Sequence, residues 1–214
     1  MKSKLSYLII VILFDFFLSP AFSYALDIPA QFQNKTEIEL KQQDSDQDSL
    51  NDYDELNIYH TNPLNQDTDN DGWKDGAEVL AGYDPAFVSD QKLEKNIDIS
   101  LADQTLKYFL GAYQIGEFKI SSGIAKMPSP KGGFNVLKKL PVVTYGSKTG
   151  SYYYPNTKWN LFFKQGSWGG FYIHGAYWHN NFGHPMSHGC INVAYSDMEG
   201  LYNWVDIGTK IIIH

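Results

Sequence analysis

Between Ile173 and Val193 the chain reads I-H-G-A-Y-W-H-N-N-F-G-H-P-M-S-H-G-C-I-N-V. This stretch holds the only cysteine of the protein, Cys190, and four of its six histidines: His174, His179, His184 and His188. A lone cysteine in a His-dense, Gly-rich loop is a candidate nucleophile. A thiol attacks only as the thiolate, and a nearby imidazole takes its proton and stabilises the anion as an ion pair. A lone cysteine is more often a small buried hydrophobe. Here Ser187-His188-Gly189-Cys190 surrounds the sulfur with glycine and small polar residues, which admits a substrate. A zinc site from His174, His179, His184 and Cys190 is the weaker alternative, because the spacing offers no carboxylate-backed histidine pair.

A second constellation is acidic. Asp44, Asp46, Asp48, Asp52 and Glu55 recur 23 residues later as Asp67, Asp69, Asp71, Asp75 and Glu78. Both copies place oxygens at loop positions 1, 3, 5, 9 and 12, with the carbonyl of Leu50 or Trp73 available at position 7. That is the ligand scheme of a calcium loop, since a large hard cation wants six to eight oxygens. Gly72 stands where the loop turns sharply; Ser49 takes that place in the first copy, so the first site is expected to be weaker.

The elements that must position the thiol are read from alternation and turn residues. Ile97–Ser100, Lys107–Leu110, Ile115–Ser121, Gly133–Lys138, Leu140–Tyr145, Trp159–Phe163 and Gly170–His174 read as antiparallel strands with tight turns. Ser196–Val205 reads as one good helix, with a capping box of Ser196 and Glu199 and an inner face of Leu201, Trp204 and Val205. Thr209–Ile213 closes the series as a strand. The expectation is a mainly β domain, a sandwich with one short helix and long loops. Its many aromatics are assigned chiefly to packing.

Charge divides the chain. Residues 44–90 carry 13 acids and one lysine, a net of −12; residues 91–214 carry 12 lysines and seven acids, a net of +5. Two modules follow. All 17 basic residues are lysine, so bidentate arginine recognition of anions is unavailable. Lys2 and Lys4 precede an apolar run from Leu8 to Leu18, interrupted only by Asp15, and Ser23-Tyr24-Ala25 supplies small residues. This reads as a signal peptide over 1–25, cut after Ala25, with no stable membrane anchor left behind. Residues 26–43 are a polar linker without a motif. Export and net acidity exclude nucleic acid as a partner; no feature sets an oligomeric state.

The acidic segment, 44–90, resembles the bacterial thrombospondin type 3-like repeats, in which D-x-D-x-D-G-x-x-D-x-x-E alternates with endings such as Thr61-Asn62-Pro63. The resemblance implies structural Ca²⁺. The basic segment, 96–214, resembles the YkuD-type L,D-transpeptidase catalytic domain. The resemblance rests on His174-Gly175, then S-H-G-C at Ser187 to Cys190, Ser129-Pro130-Lys131-Gly132-Gly133-Phe134, and the Tyr177 to Gly183 stretch. It implies Cys190 as nucleophile, His174 as general base oriented by the Gly175 carbonyl, and no catalytic cofactor. Ser187, His188 and Gly189 would support the thiol and its oxyanion, with His188 equally readable as a loop support. Tyr145, Trp178 and Asn192 would face the substrate, peptidoglycan; Asn192 stands where much of the family has arginine. The implied reaction is transfer from the L,D bond of a stem tetrapeptide to an amine, or to water as an L,D-carboxypeptidase. Lys126, Lys131, Lys138 and Lys139 are candidates to attract substrate carboxylates. A calcium-dependent wall-binding protein with a degenerate catalytic module is the alternative from another class, and the intact His174 and Cys190 argue against it.

Overall fold

The computed structural model describes residues 29–150, 152–167 and 169–214. The expected signal segment, 1–25, lies outside them. Among the described residues no helix is long and apolar enough to cross a membrane.

The chain opens with short helices: α1 (Glu37–Lys41), α2 (Asp52–Asp54) continued by a π-helical turn (Glu55–Tyr59), and α3 (Asp75–Ala81). The segment read as a motif-free linker contains α1. Thr36 and Glu39 close a capping box on it, and Phe32 and Leu40 are buried. Nine strands and a fourth helix follow: β1 (Lys95–Ser100), β2 (Thr105–Leu110), β3 (Tyr113–Ser121), β4 (Gly132–Asn135), β5 (Lys138–Gly146), β6 (Tyr153–Gly166), β7 (Gly169–Ala176), β8 (Ile191–Ala194), α4 (Tyr195–Trp204) and β9 (Lys210–Ile213).

The strands form one mostly β sheet in the order β4-β9-β1-β2-β3-β8-β7-β6-β5. β4 and β5 stand at opposite ends of that order, yet only Val136 and Leu137 separate them. So short a link spans about 10 Å, so the sheet must curl until its edges meet. The Leu137 amide accordingly donates to the Phe162 carbonyl at 2.7 Å, and the Phe134 and Phe163 rings lie 5.3 Å apart. Ile97, Ile99, Leu106, Ile120, Leu161, Ile173, Ile191 and Ile211 fill the curl, and α4 adds Met198 and Leu201.

Several local expectations change. The predicted strand Gly133–Lys138 is broken at Val136-Leu137, where the chain passes between the two edges. Two pairs are parallel, not antiparallel: β1 with β9 and β7 with β8. The α4 capping box is absent. Ser196 lies inside the helix, its hydroxyl donating to Asp197, and Ala194 is the N-cap without a side-chain bond. Packing of Met198, Leu201 and Val205 fixes this helix instead.

The acidic segment is docked on the sheet. Leu50, Tyr59 and Leu110 form a buried cluster, with Ile58, Val79, Tyr113, Ile115 and Trp204 packed around it. The Tyr113 hydroxyl donates to Asp84 at 2.6 Å.

Candidate active site

The parallel pairing of β7 and β8 builds the site. A parallel pair requires a long crossover, and here residues 177–190 supply it. The register sets Ile173 beside Ile191 and His174 beside Asn192. Ile173 and Ile191 are fully buried in the core. Alternation then puts Tyr172, His174, Cys190 and Asn192 on the opposite face. His174 and Cys190 are diagonal neighbours across the pair, a relation that long side chains bridge. Their separation along the chain is thus a consequence of the crossover length.

His174 is 3 % exposed. Its Nδ1 lies 2.9 Å from the Gly175 carbonyl oxygen. That oxygen can only accept, so Nδ1 carries the hydrogen and Nε2 keeps the lone pair. Burial holds the imidazolium down, to a pKa of about 4, against the weaker raising effect of the Gly175 carbonyl. On one side the Tyr145 ring stacks on the imidazole, 4.5 Å between centroids at 27°. Trp178 approaches at 5.8 Å and itself stacks on Tyr154 at 3.9 Å.

Cys190 is half-buried at the end of a glycine turn. Its thiol lies 3.9 Å from the Gly170 carbonyl. Burial pushes the thiol up to about 11, a Tyr172 backbone hydrogen bond opposing it. Burial thus disfavours both charged forms and favours a neutral thiol beside a neutral imidazole in the free protein. Gly189 has φ +116°, a conformation that L side chains rarely adopt. Ser187 Oγ donates to the Cys190 carbonyl and accepts from the Gly189 amide at 3.1 Å. Ser129 Oγ donates to the Gly189 carbonyl at 2.9 Å and accepts from the Gly123 amide. This gives Ser129-Pro130 a physical role as the clamp on the thiol turn. Of the amides expected to hold the oxyanion, that of Gly189 donates to Ser187 Oγ.

A Cβ at Gly189 would lie 2.7 Å from the Phe171 ring. Strained φ and overpacking together cost about 2–5 kcal/mol. Gly189→Ala is therefore expected to melt well below the parent and to react at its thiol at least about tenfold more slowly. Reaction within twofold of the parent rate would contradict the role given to this turn.

Other expected residues fall into place differently. His188 is exposed and stacks on Tyr152 at 4.7 Å. Asn192 is buried and its carboxamide lies 3.0 Å from His179 Nε2, so it holds the crossover. Lys139 folds back to donate to the Val205 carbonyl and lies over Tyr202. His174, His179, His184 and Cys190 do not gather: among the described residues the groupings close enough for one ion are two aspartate triplets. Sequence reading missed Asn160. It is fully buried, its Nδ2 donating to Leu140 and Thr157 carbonyls and its Oδ1 accepting from Tyr145 at 2.8 Å. An asparagine inside the apolar run Trp159 to Phe163 was the available signal.

The triplets are Asp44, Asp46, Asp48 and Asp67, Asp69, Asp71. In both loops the position-3 and position-12 carboxylates, Asp46 with Glu55 and Asp69 with Glu78, aim a buried oxygen at no protein donor. Such orphaned oxygens fit a hard cation. Burial raises Glu55 to about 9, Glu78 to about 7 and Asp46 to about 6, neighbouring carboxylates adding to it. Asp52 and Asp75, the expected position-9 ligands, also make bonds within their loops. Both accept from the backbone and hydroxyl of position 2, Ser45 or Thr68, and so close the loop. At position 7 the Leu50 and Trp73 amides donate to the aspartates two residues before them, Asp48 and Asp71. Ser49, at φ +84°, makes the turn of Gly72 at φ +99°. This strain of about 1–2 kcal/mol falls on the first loop alone.

Solved structures place this curled β domain among the L,D-transpeptidases. The Mycobacterium smegmatis L,D-transpeptidase is similar over 57% of this chain and 59% of its own, with 26% identity and a TM-score of 0.52. The Enterococcus faecium enzyme, in a cysteine-to-serine variant, is 28% identical over 56% and 50%, with a TM-score of 0.51. The Ldtfm avibactam carbamoyl enzyme is 27% identical over 62% and 51%, with a TM-score of 0.50. The chain thus spans half to three-fifths of the length of these relatives. No curated protein matches it. The L,D-transpeptidase catalytic domain profile, YkuD, matches residues 94–213, and the bacterial TSP3 repeat matches 44–66 and 67–86. The chain belongs to the YkuD L,D-transpeptidase family and carries bacterial TSP3 repeats ahead of the catalytic domain.

Proposed function

We propose that the protein is an exported L,D-transpeptidase that acts on peptidoglycan stem peptides through an acyl-enzyme on Cys190. The observation that carries this is the pairing across β7 and β8: a thiol on a clamped glycine turn, diagonal to an imidazole whose Nδ1 is tied to backbone. With Nδ1–H committed, Nε2 of His174 takes the thiol proton as sulfur attacks the carbonyl of the L,D bond. The C–N bond breaks and the imidazolium returns that proton to the leaving D-alanine amine. An acceptor amine then attacks the thioester, the imidazole again taking a proton and the thiol being restored. Water in its place yields the L,D-carboxypeptidase outcome. The His188 and Cys190 amides are the remaining oxyanion donors of the turn. Trp178 walls the site beside His174.

Calcium takes no part in these steps. When bound, it supplies the positive charge that Asp44, Asp46, Asp48, Glu55, Asp67, Asp69, Asp71 and Glu78 lack, and so holds the repeats on the sheet. Export follows from the signal segment and places the enzyme in the cell envelope.

Incubation with a D-alanine-terminated tetrapeptide muropeptide is expected to release D-alanine and form a cross-linked product. Cys190→Ala should give neither, and avibactam should add its mass to the parent protein alone. Turnover by Cys190→Ala, or an adduct on another residue, would overturn the assignment.

A further inference from the structure

Among the described residues no carboxylate is recorded against the buried imidazole at 174. The titratable groups around it are Tyr145 on β5, stacked on the ring, and His179 in the crossover, with Tyr172 and Cys190 next to Tyr145. None of these is an anion while the thiol keeps its proton. Yet accepting that proton makes the ring cationic in a place that strips away water, where charge is costly. Something must offset that charge at the moment of reaction. The Gly175 carbonyl does so at Nδ1. Two rings also lie against the imidazole: Trp178, tilted at 40° with centroids 5.8 Å apart, and closer still the flat face of Tyr145, stacked at 4.5 Å and 27°.

Tyr145 is held there by design of the strand beneath it. Its hydroxyl donates to Asn160 Oδ1 at 2.8 Å and so points away from the thiol. The orientation of that amide is settled, because both Nδ2 hydrogens meet backbone carbonyls, of Leu140 and of Thr157. Asn160 follows Trp159, which adopts φ +55°, an irregularity in β6 unusual for a bulky residue. Asn160, anchored to the backbone by its amide hydrogens, holds the tyrosine hydroxyl with Oδ1 and leaves the ring face as what the tyrosine presents to the imidazole.

We infer that Tyr145, locked by Asn160, is a positioning residue whose ring face stabilises the imidazolium form of His174 in place of a carboxylate. This deepens the proposed function and rests on His174 being the base. The attraction is between a cation and the ring quadrupole. The atoms of the step are unchanged: one proton leaves Cys190 Sγ for His174 Nε2.

Graded fluorination tests it, because fluorine drains the ring face while nearly preserving shape. Phenylalanine and its mono-, di- and trifluorinated forms are placed at 145 in the full chain, with calcium present. The rate of avibactam adduct formation is followed by intact mass. Melting temperatures verify that each variant is folded. The saturating rate constant is expected to fall stepwise by about tenfold across the series, the half-saturating concentration changing little. Tyr145→Leu should fall at least as far. A flat series, or a change confined to the half-saturating concentration, overturns the inference. His174→Ala separates the two readings. If it reacts at the parent rate, the base assignment itself fails. If it is inactive while the fluorinated series is flat, only the role of Tyr145 fails.

Discussion

Chelating calcium is expected to lower the melting temperature of the whole protein by about 10–20 °C. At an ion concentration a hundredfold above the dissociation constant, one site contributes about 2.7 kcal/mol, so two contribute roughly 5 kcal/mol. For a chain of this size each kcal/mol moves the midpoint by about 2–4 °C. The loss is not confined to the acidic segment, because its folding is joined to the sheet. Leu50 and Tyr59, on either side of Glu55, are buried with Leu110 of β2. Tyr59 and Tyr113 rings lie 5.3 Å apart, and Asp84, just past α3, accepts from the Tyr113 hydroxyl. The two loops also interlock: Asp48 accepts from the Gly76 amide at 2.8 Å, and a Cβ on Gly76 would collide with the Asp48 carbonyl at 2.5 Å. One emptied loop therefore loosens the other. Calorimetry with calcium and with EGTA measures the effect. Superimposable melts would refute calcium binding; a shifted minor transition beside an unmoved main one would refute the coupling to the sheet.

In the free protein, iodoacetamide is expected to alkylate Cys190 about tenfold faster for each unit of pH from 6 to 9, with no plateau. The thiolate is the reactive form. Burial raises the thiol to about 11 and holds His174 at about 4, so between those values both groups are neutral. Thiolate is then roughly one part in ten thousand at pH 7. The sign follows directly: a thiol with a raised pKa gains reactivity throughout the range below it. A preformed thiolate–imidazolium pair would instead give a rate that is high and flat across pH 5 to 8. A measured plateau there would show the pair to be charged at rest. The neutral pair assigns proton transfer to the moment when substrate carbonyl meets sulfur, which makes whatever stabilises the imidazolium part of the rate.

Much of the molecule is legible in its sequence because the relevant physics is local. Closely spaced aspartates repel unless a cation joins them, so their doubled register declares calcium loops without any fold. Alternating residues declare strands, and a cysteine set in S-H-G-C marks the candidate nucleophile. The errors lie where tertiary contacts override local signals. Ser196 and Glu199 satisfy a capping pattern, yet burial of Met198 and Leu201 starts α4 one residue earlier and leaves Ser196 inside it. The loop-closing bonds of Asp52 and Asp75 to Ser45 and Thr68 are likewise set by the fold and not by the ligand pattern.

What the amino-acid order determined by itself was the inventory: which groups could do chemistry, and the pairing of a metal-loop segment with a thiol-bearing β segment. Only the folded sheet decided how they act. The parallel junction of β7 and β8 makes His174 and Cys190 neighbours, and burial leaves both uncharged. The Tyr145 and Asn160 support comes from β5 and β6, 14 to 29 residues before the histidine in sequence. Charge state and orientation depend on what surrounds a group in space, and sequence spacing carries no record of that.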